Sequence, residues 1–341
     1  MRFEGQTLME IKRILVIRFS SIGDIVLTTP IVRAIKKSFP QAELHYLTKP
    51  SNAILLTNNK YIDRVHVLTS DYAQMLKLLR SLEFDYVVDL QKNLRSGRIK
   101  RSLGVESSSF PKLNFKKWLF VRFKRQCLPS VHVVDRYFEA VKPIGVSNDG
   151  MGLDFFLQEE DFVSPDFLPL DFQNGYVACV VGSKHCTKQM PTDVMVSLCR
   201  LIQKPILLLG DDNDRDKAMA VEKTVGTKVF NACGAYNINQ SAYLLKNSMG
   251  VITPDTGLMH IAAAFDKDII VVWGNTVPAF GMYPYRAKNS KGKTYNFEVR
   301  DLKCRPCSKL GYDKCPKRHF KCMKRQDVNA MAEIANSWIE N

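Results

Sequence analysis

A chain of 341 residues is long for one hydrophobic core and comfortable for two domains. Its hydrophobic content of 45% is ordinary for a globular protein, and no apolar run approaches the ~20 residues of a membrane span. The net charge of +15, from 49 basic and 34 acidic residues, requires something anionic to be considered as a partner. The first twelve residues are mixed polar and charged, with no apolar export core, so the expected location is the cytoplasm.

Strand and helix patterns alternate from the start. Residues 13–19 read as a buried parallel strand. The polar turn Ser20-Ser21-Ile22-Gly23-Asp24 follows, then helical spacing with Ile31, Ala34 and Ile35 on one face. Either Thr29-Pro30 opens that helix, or it begins at Asp24 and bends at Pro30. Both place Asp24 at the carboxyl end of the first strand, the edge where open α/β sheets bind ligands. Further strands are expected at 43–47, 64–68 and 85–90, with helices at 31–39, 51–58, 72–81, 95–103 and 133–141.

Residues 92–125 concentrate the charge: eleven Lys or Arg, among them Lys92, Arg95 and Arg98, against the single acid Glu106. Phe110, Phe115, Trp118, Phe120 and Phe123 are interleaved, as in a surface-seeking amphipathic segment or a base-stacking one. The alternation lapses at 145–172, which contains Asn148-Asp149-Gly150, Pro165 and Pro169 and is the expected domain boundary. This places an N-terminal domain at 1–160 and a C-terminal one at 172–326, with a closing helix at 327–339 that could pack back on the first.

The second half repeats the scheme, with strands at 176–181, 206–209, 228–230, 249–252 and 269–273 and helices at 193–202, 214–225, 240–246 and 256–264. The expected fold is therefore α/β, two Rossmann-like parallel-sheet domains facing a cleft. Thr253-Pro254-Asp255-Thr256-Gly257-Leu258-Met259-His260 joins a strand to a helix, and free N–H groups at such a helix start suit a phosphate or diphosphate. Gly182 to Pro191 forms another strand-to-helix loop, in which Lys188 could hold a diphosphate as a point charge. A carboxylate of Gly210-Asp211-Asp212-Asn213-Asp214 could bind ribose hydroxyls or cap a turn. Neither a G-x-G-x-x-G nor a P-loop motif occurs, which disfavours a standard NAD or NTPase site.

These motifs resemble glycosyltransferase family 9, the heptosyltransferases of lipopolysaccharide core synthesis. The resemblance rests on Ser20-x-x-Gly23-Asp24, Asp89-Leu90-Gln91-x-x-Leu94-Arg95-Ser96 and His132-x-x-Asp135-Arg136-Tyr137 in the first half. In the second half it rests on Lys188-x-x-Pro191 and Asp255-Thr256-Gly257-x-x-His260. It implies a GT-B fold, an ADP-heptose donor held by the C-terminal domain, and a phosphorylated lipid-linked acceptor held by the N-terminal one. The implied reaction is inverting and needs no catalytic metal. By the same resemblance Asp24 is the general base and Lys188 stabilises the departing ADP. Thr187, Asp214, Asp255, Thr256, Gly257, Leu258 and His260 complete the donor site. Ser21, Gly23, Lys92, Arg95, Arg98 and Arg136 meet the acceptor. Met190 stands where the family often has a bulky aromatic, and Asp211, Asp212 and Asp214 compete for the ribose.

Finally, Cys304-x-x-Cys307, Cys315, His319 and Cys322 have spacing compatible with a structural zinc. The four cysteines are the first choice of ligands, with His319 as alternative. The expected setting is the cytoplasmic face of the inner membrane, with the basic aromatic segment against anionic lipid and no nucleic acid bound. A nucleic-acid-binding protein and a nucleotide-sugar epimerase are the competing readings.

Overall fold

The computed structural model describes residues 11–339. The extreme N-terminus, read above as lacking an export signal, lies largely outside them. The chain divides into two compact units. One runs up to Lys112 and resumes at Val134–Asp149; the other comprises Leu113–Val133 and everything from Gly150 onward.

The first unit holds five strands: β1 (Arg13–Ile17), β2 (Glu43–Thr48), β3 (Arg64–Val67), β4 (Tyr86–Asp89) and β5 (Glu106–Ser109). All pair in parallel, in the order β3-β2-β1-β4-β5. Strand order reverses between β1 and β4, so the crevice at their carboxyl ends is a topological switch point. Leu15, Ile17 and Val87 pack one face of the sheet against Met75 and Leu79 of the helix Tyr72–Ser81 and Ile99 of Leu94–Leu103. Each such fully buried aliphatic side chain contributes about 2 kcal/mol. Pro30 lies in the first turn of a separate helix, Thr29–Ser38, after the short helix Ile22–Val26. This decides between the two helix starts that the sequence leaves open.

On the same sheet His45 Nδ1 lies 2.9 Å from His66 Nε2, and His45 Nε2 lies 3.3 Å from Glu43 Oε2. Asp63 and Arg64 also act on His45, and the ring of Phe84 meets it edge-on. Burial, then the neighbouring His45 and Arg64, push His66 down to about 4 from 6.5. The unfolded chain therefore takes up this proton first. Stability is full above the unfolded value and is lost as pH falls from 6.5 towards the folded value of about 4. The expected result is a lower denaturant midpoint at about pH 5 than at about pH 7.5, with the difference reduced in His66→Gln. An unchanged difference in that variant would assign the effect to other groups.

The second unit holds β6 (Val177–Val180), β7 (Ile206–Leu209), β8 (Val229–Asn231), β9 (Gly250–Pro254), β10 (Ile269–Trp273) and β11 (Thr294–Glu298). These are again all parallel, in the order β11-β10-β9-β6-β7-β8, with the switch point between β6 and β9. The helix Val328–Ser337 puts Met331, Ala332 and Ala335 into the core of this unit, beside Val194 and Leu198. Trp338 lies so close to Gly250 that a Cβ there would fall 2.4 Å from the indole. The closing helix thus belongs to the C-terminal unit, not to the first.

Strands β5 and β11 are absent from the sequence reading. Both are edge strands without a buried residue: β5 is polar and takes its extended form from the ladder with β4, whereas β11 pairs with β10 and lays Tyr295 and Phe297 against the core. Residues 113–133 also change place. Phe120 and Val121 of the helix Asn114–Phe123 pack with Val277 and Phe280, so the aromatic segment docks on the C-terminal unit. Among the described residues no helix is long and apolar enough to cross a membrane.

Candidate active site

In the first unit, Asp24 sits in the short helix after β1, at the switch point. Its Oδ2 accepts hydrogen bonds from the Ser21 N–H at 3.0 Å and the Ser21 hydroxyl at 2.8 Å. Its Oδ1 lies 2.7 Å from the Arg18 guanidinium. Burial alone would raise the Asp24 pKa, but Arg18 and the Ser21 hydrogen bonds overcome it and hold the group below its ordinary value. Arg18 is itself fixed, donating to Ser20 O at 2.9 Å and to Leu90 O at 2.5 Å, with the Tyr137 ring 5.8 Å away. The sequence reading missed Arg18. It lies inside the run 13–19 read as a buried strand, and only its 7% exposure reveals a buried cation.

The motif after β4 builds a turn. Asp89 Oδ1 accepts from the N–H groups of Gln91 and Lys92, and Oδ2 from the Ser96 hydroxyl. The Asn93 side chain caps the helix Leu94–Leu103. Arg95 and Arg98 are left exposed, with no hydrogen bond or ion pair among the described residues, while Lys92 Nζ binds Phe110 O. Arg136 differs. It is 5% exposed, and its Nε and one terminal nitrogen have no partner among the described residues. Burial pulls its pKa down, as expected of a buried cation without a counter-ion. Gly23 is buried and Ser21 exposed beside Asp24.

In the second unit the two loops at the switch point come together. Lys188 Nζ lies 2.7 Å from Asp255 Oδ2, the side chains being 16% and 13% exposed. Thr276 donates to the same oxygen at 2.8 Å. Thr256 takes the N-cap position of the helix Gly257–Ala264 without a side-chain cap bond. The helix start therefore keeps its N–H groups and dipole for an incoming anion. Leu258 and His260 are buried along it. Thr187 is buried and hydrogen-bonded to both the N–H and the carbonyl of Tyr312. Met190 is buried in the core.

Asp214 lies against the ends of β6 and β7. A Cβ on Gly182 would fall 1.7 Å from its Oδ2, so only glycine fits. The carboxyl also accepts from the Asp211 N–H, and burial raises its pKa. Asp211 caps the turn, and Asp211 and Asp212 are exposed. Asn275 was not anticipated. Its side-chain amide is 2% exposed, beside Thr276, with neither polar atom bonded among the described residues.

The cysteine segment braces this site. Arg305 donates to the carbonyls of Gly274 and Thr276, and Tyr312 holds Thr187. Cys304 Sγ is 3.8 Å from His319 Nε2, and the Cys307 thiol donates to Cys304 O. Burial and the neighbouring cysteines push Cys307 up to about 12, and burial raises Cys322 to about 11. Among the described residues no three His, Cys, Asp or Glu side chains are grouped so as to hold an ion. Of the five expected ligands, Cys304 and His319 face each other, and Cys307 adjoins Cys304.

Two parallel-sheet α/β units with polar turns at their switch points have the architecture of the GT-B class. The model of glycosyltransferase family 9 (heptosyltransferase) matches residues 72–309, and the chain belongs to that family. It is a glycosyltransferase. It is similar to lipopolysaccharide heptosyltransferase 1 of Campylobacter coli, 22% identical over 77% of this chain and 84% of the relative. Among solved structures it resembles the family 9 glycosyltransferase of Veillonella parvula, with a TM-score of 0.69 at 20% identity, covering 85% of this chain and 88% of that one. It also resembles E. coli heptosyltransferase WaaC with ADP, with a TM-score of 0.66 at 19% identity over 94% and 98%. These structural likenesses establish the fold.

Proposed function

We propose that this enzyme transfers heptose from ADP-heptose to a phosphorylated, lipid-linked acceptor of lipopolysaccharide core synthesis. The supporting observation is the Lys188–Asp255 pair beside the uncapped start of the helix Gly257–Ala264, a place suited to a diphosphate. The names of the curated relatives point the same way.

In this mechanism Asp24 takes the proton of an acceptor hydroxyl as its oxygen attacks the anomeric carbon. The bond from that carbon to the diphosphate breaks, its electron pair leaves on ADP, and configuration inverts. Lys188 and the N–H groups of Thr256 and Gly257 meet the growing negative charge. Thr187, Leu258 and His260 line the donor pocket, with Asp214 at the ends of β6 and β7 and Asn275 just after β10. Lys92, Arg95, Arg98 and the buried Arg136 bind acceptor phosphates, with Ser21 and Gly23 shaping the turn. No step passes through a metal; the cysteine segment acts by bracing Thr187 and Thr276. The nucleic-acid alternative is not favoured by a chain of this family.

Calorimetric titration with ADP, UDP and GDP tests the donor. ADP is expected to bind at least about tenfold more tightly than the others. Equal affinity for UDP or GDP would discard heptose as the sugar, and binding of none would remove the donor site.

A further inference from the structure

The helix Asn114–Phe123 contributes no buried residue to either core. Successive side chains turn about 100° around its axis. That rotation puts Phe120, Val121 and Lys117 on one side, where Phe120 and Val121 pack with Val277 and Phe280 and Lys117 lies over the Phe280 ring. The opposite side carries Phe115, Trp118, Leu119, Arg122 and Phe123. Phe115, Trp118 and Phe123 are 70%, 53% and 57% exposed. The rings of Phe115 and Trp118 stack, and Phe123 meets Trp118 edge-on. Three large aromatics standing together in water are costly unless something apolar covers them. Their surroundings are basic: Lys116, Arg122, Lys124 and Arg125 are exposed, and no Asp or Glu occurs from residue 107 to 134.

The helix ends at Lys124, whose ammonium binds the carbonyls of Val121 and Pro306 and lines a cavity of about 640 Å³. Lys303, Lys317, Lys321 and His319 line the same cavity, and no acid does. An apolar aromatic wedge and a basic cavity therefore share one flank of the C-terminal unit, joined through Lys124. That pairing matches the two layers of a membrane interface: rings settle at the acyl boundary while lysines meet anionic headgroups. Single-stranded nucleic acid also stacks on aromatics. It asks for rings spaced along a groove, whereas these three pack against one another through Trp118.

We propose that this flank docks the enzyme on an anionic phospholipid bilayer, with Phe115, Trp118 and Phe123 inserted and the lysine-lined cavity taking a headgroup. The proposed acceptor explains why such docking is useful, but the docking itself stands on its own observations.

Trp118 makes the test specific, because the other two tryptophans, Trp273 and Trp338, are buried. Vesicles of phosphatidylcholine alone and of phosphatidylcholine with about one third phosphatidylglycerol are titrated into the full chain, following sedimentation and tryptophan emission. Binding is expected only with the anionic vesicles, weakened by salt and accompanied by a blue shift. The triple variant Phe115→Ser, Trp118→Ser, Phe123→Ser should lose binding by about tenfold or more. The double variant Lys317→Glu, Lys321→Glu should do likewise while keeping the wedge intact. Both should keep the wild-type ADP affinity, which separates this result from the donor assignment.

Equal binding to neutral vesicles would overturn the proposal. So would anionic binding without a Trp118 shift, or undiminished binding by either variant. Binding of single-stranded RNA with a Trp118 change, in the absence of vesicle binding, would assign the flank to nucleic acid instead.

Discussion

Asp24→Asn is expected to lower kcat by about 10²- to 10⁴-fold while leaving ADP affinity unchanged. The amide keeps the shape of the side chain and can still meet Ser21, but it cannot accept the acceptor's proton. In the wild type, Arg18 at 2.7 Å and the two Ser21 hydrogen bonds hold Asp24 ionised below the ordinary carboxylate range. The base is therefore present above that lowered pKa and is lost only as pH falls through it. Arg18→Met gives an independent readout. Without the guanidinium, burial dominates, the Asp24 pKa rises, and the acid limb of the pH–rate profile moves to higher pH. Arg18→Lys should restore part of the shift. An Asp24→Asn enzyme within tenfold of wild type would remove Asp24 from the chemistry. An unmoved acid limb in Arg18→Met would remove Arg18 as its positioning residue.

Lys188→Ala should lower kcat by about 10²- to 10³-fold and weaken ADP binding by about tenfold or more. Charge on the diphosphate is greatest as the bond to the sugar breaks, so the cation matters more in the transition state than in the ground state. The substitution also leaves the Asp255 carboxylate, 13% exposed, with only Thr276 as a side-chain partner among the described residues. A stability loss of about 2 kcal/mol is expected, below the range for a wholly buried pair because both side chains reach water. Lys188→Ala, Asp255→Asn separates the two effects: it should regain stability without regaining kcat. Recovery of both would make Lys188 a structural partner of Asp255 and not a contact of the leaving group.

Much of this was legible from residue order. A run such as Ile14-Leu15-Val16-Ile17 is apolar on both faces, and only a parallel strand between two helix layers buries it. Turn chemistry is equally local. Asp89, Asn93 and Ser96 satisfy one another within seven residues, and Asp211 with Asp214 within three. Edge strands were not legible. Glu106-Ser107-Ser108-Ser109 has no strand pattern of its own and is extended because β4 offers it a ladder. Nor was the fate of residues 113–133. Their aromatics read as a surface-seeking segment, but the partner of Phe120, Phe280, lies more than 150 residues downstream.

The sequence by itself determined the two α/β units, the strand-end turns and the residue types at each, because these depend on periodicity and on contacts a few residues apart. Tertiary structure alone decided that Arg18 turns inward to grip Asp24 and that Lys188 closes on Asp255 across 67 positions. Among the described residues it alone left two Arg136 nitrogens and the Asn275 amide buried without hydrogen bonds, and it closed the cysteine segment over Thr187 and Thr276. Charge pairing and polar satisfaction are set by distance in space, and a chain states that distance only once its sheets have chosen their order.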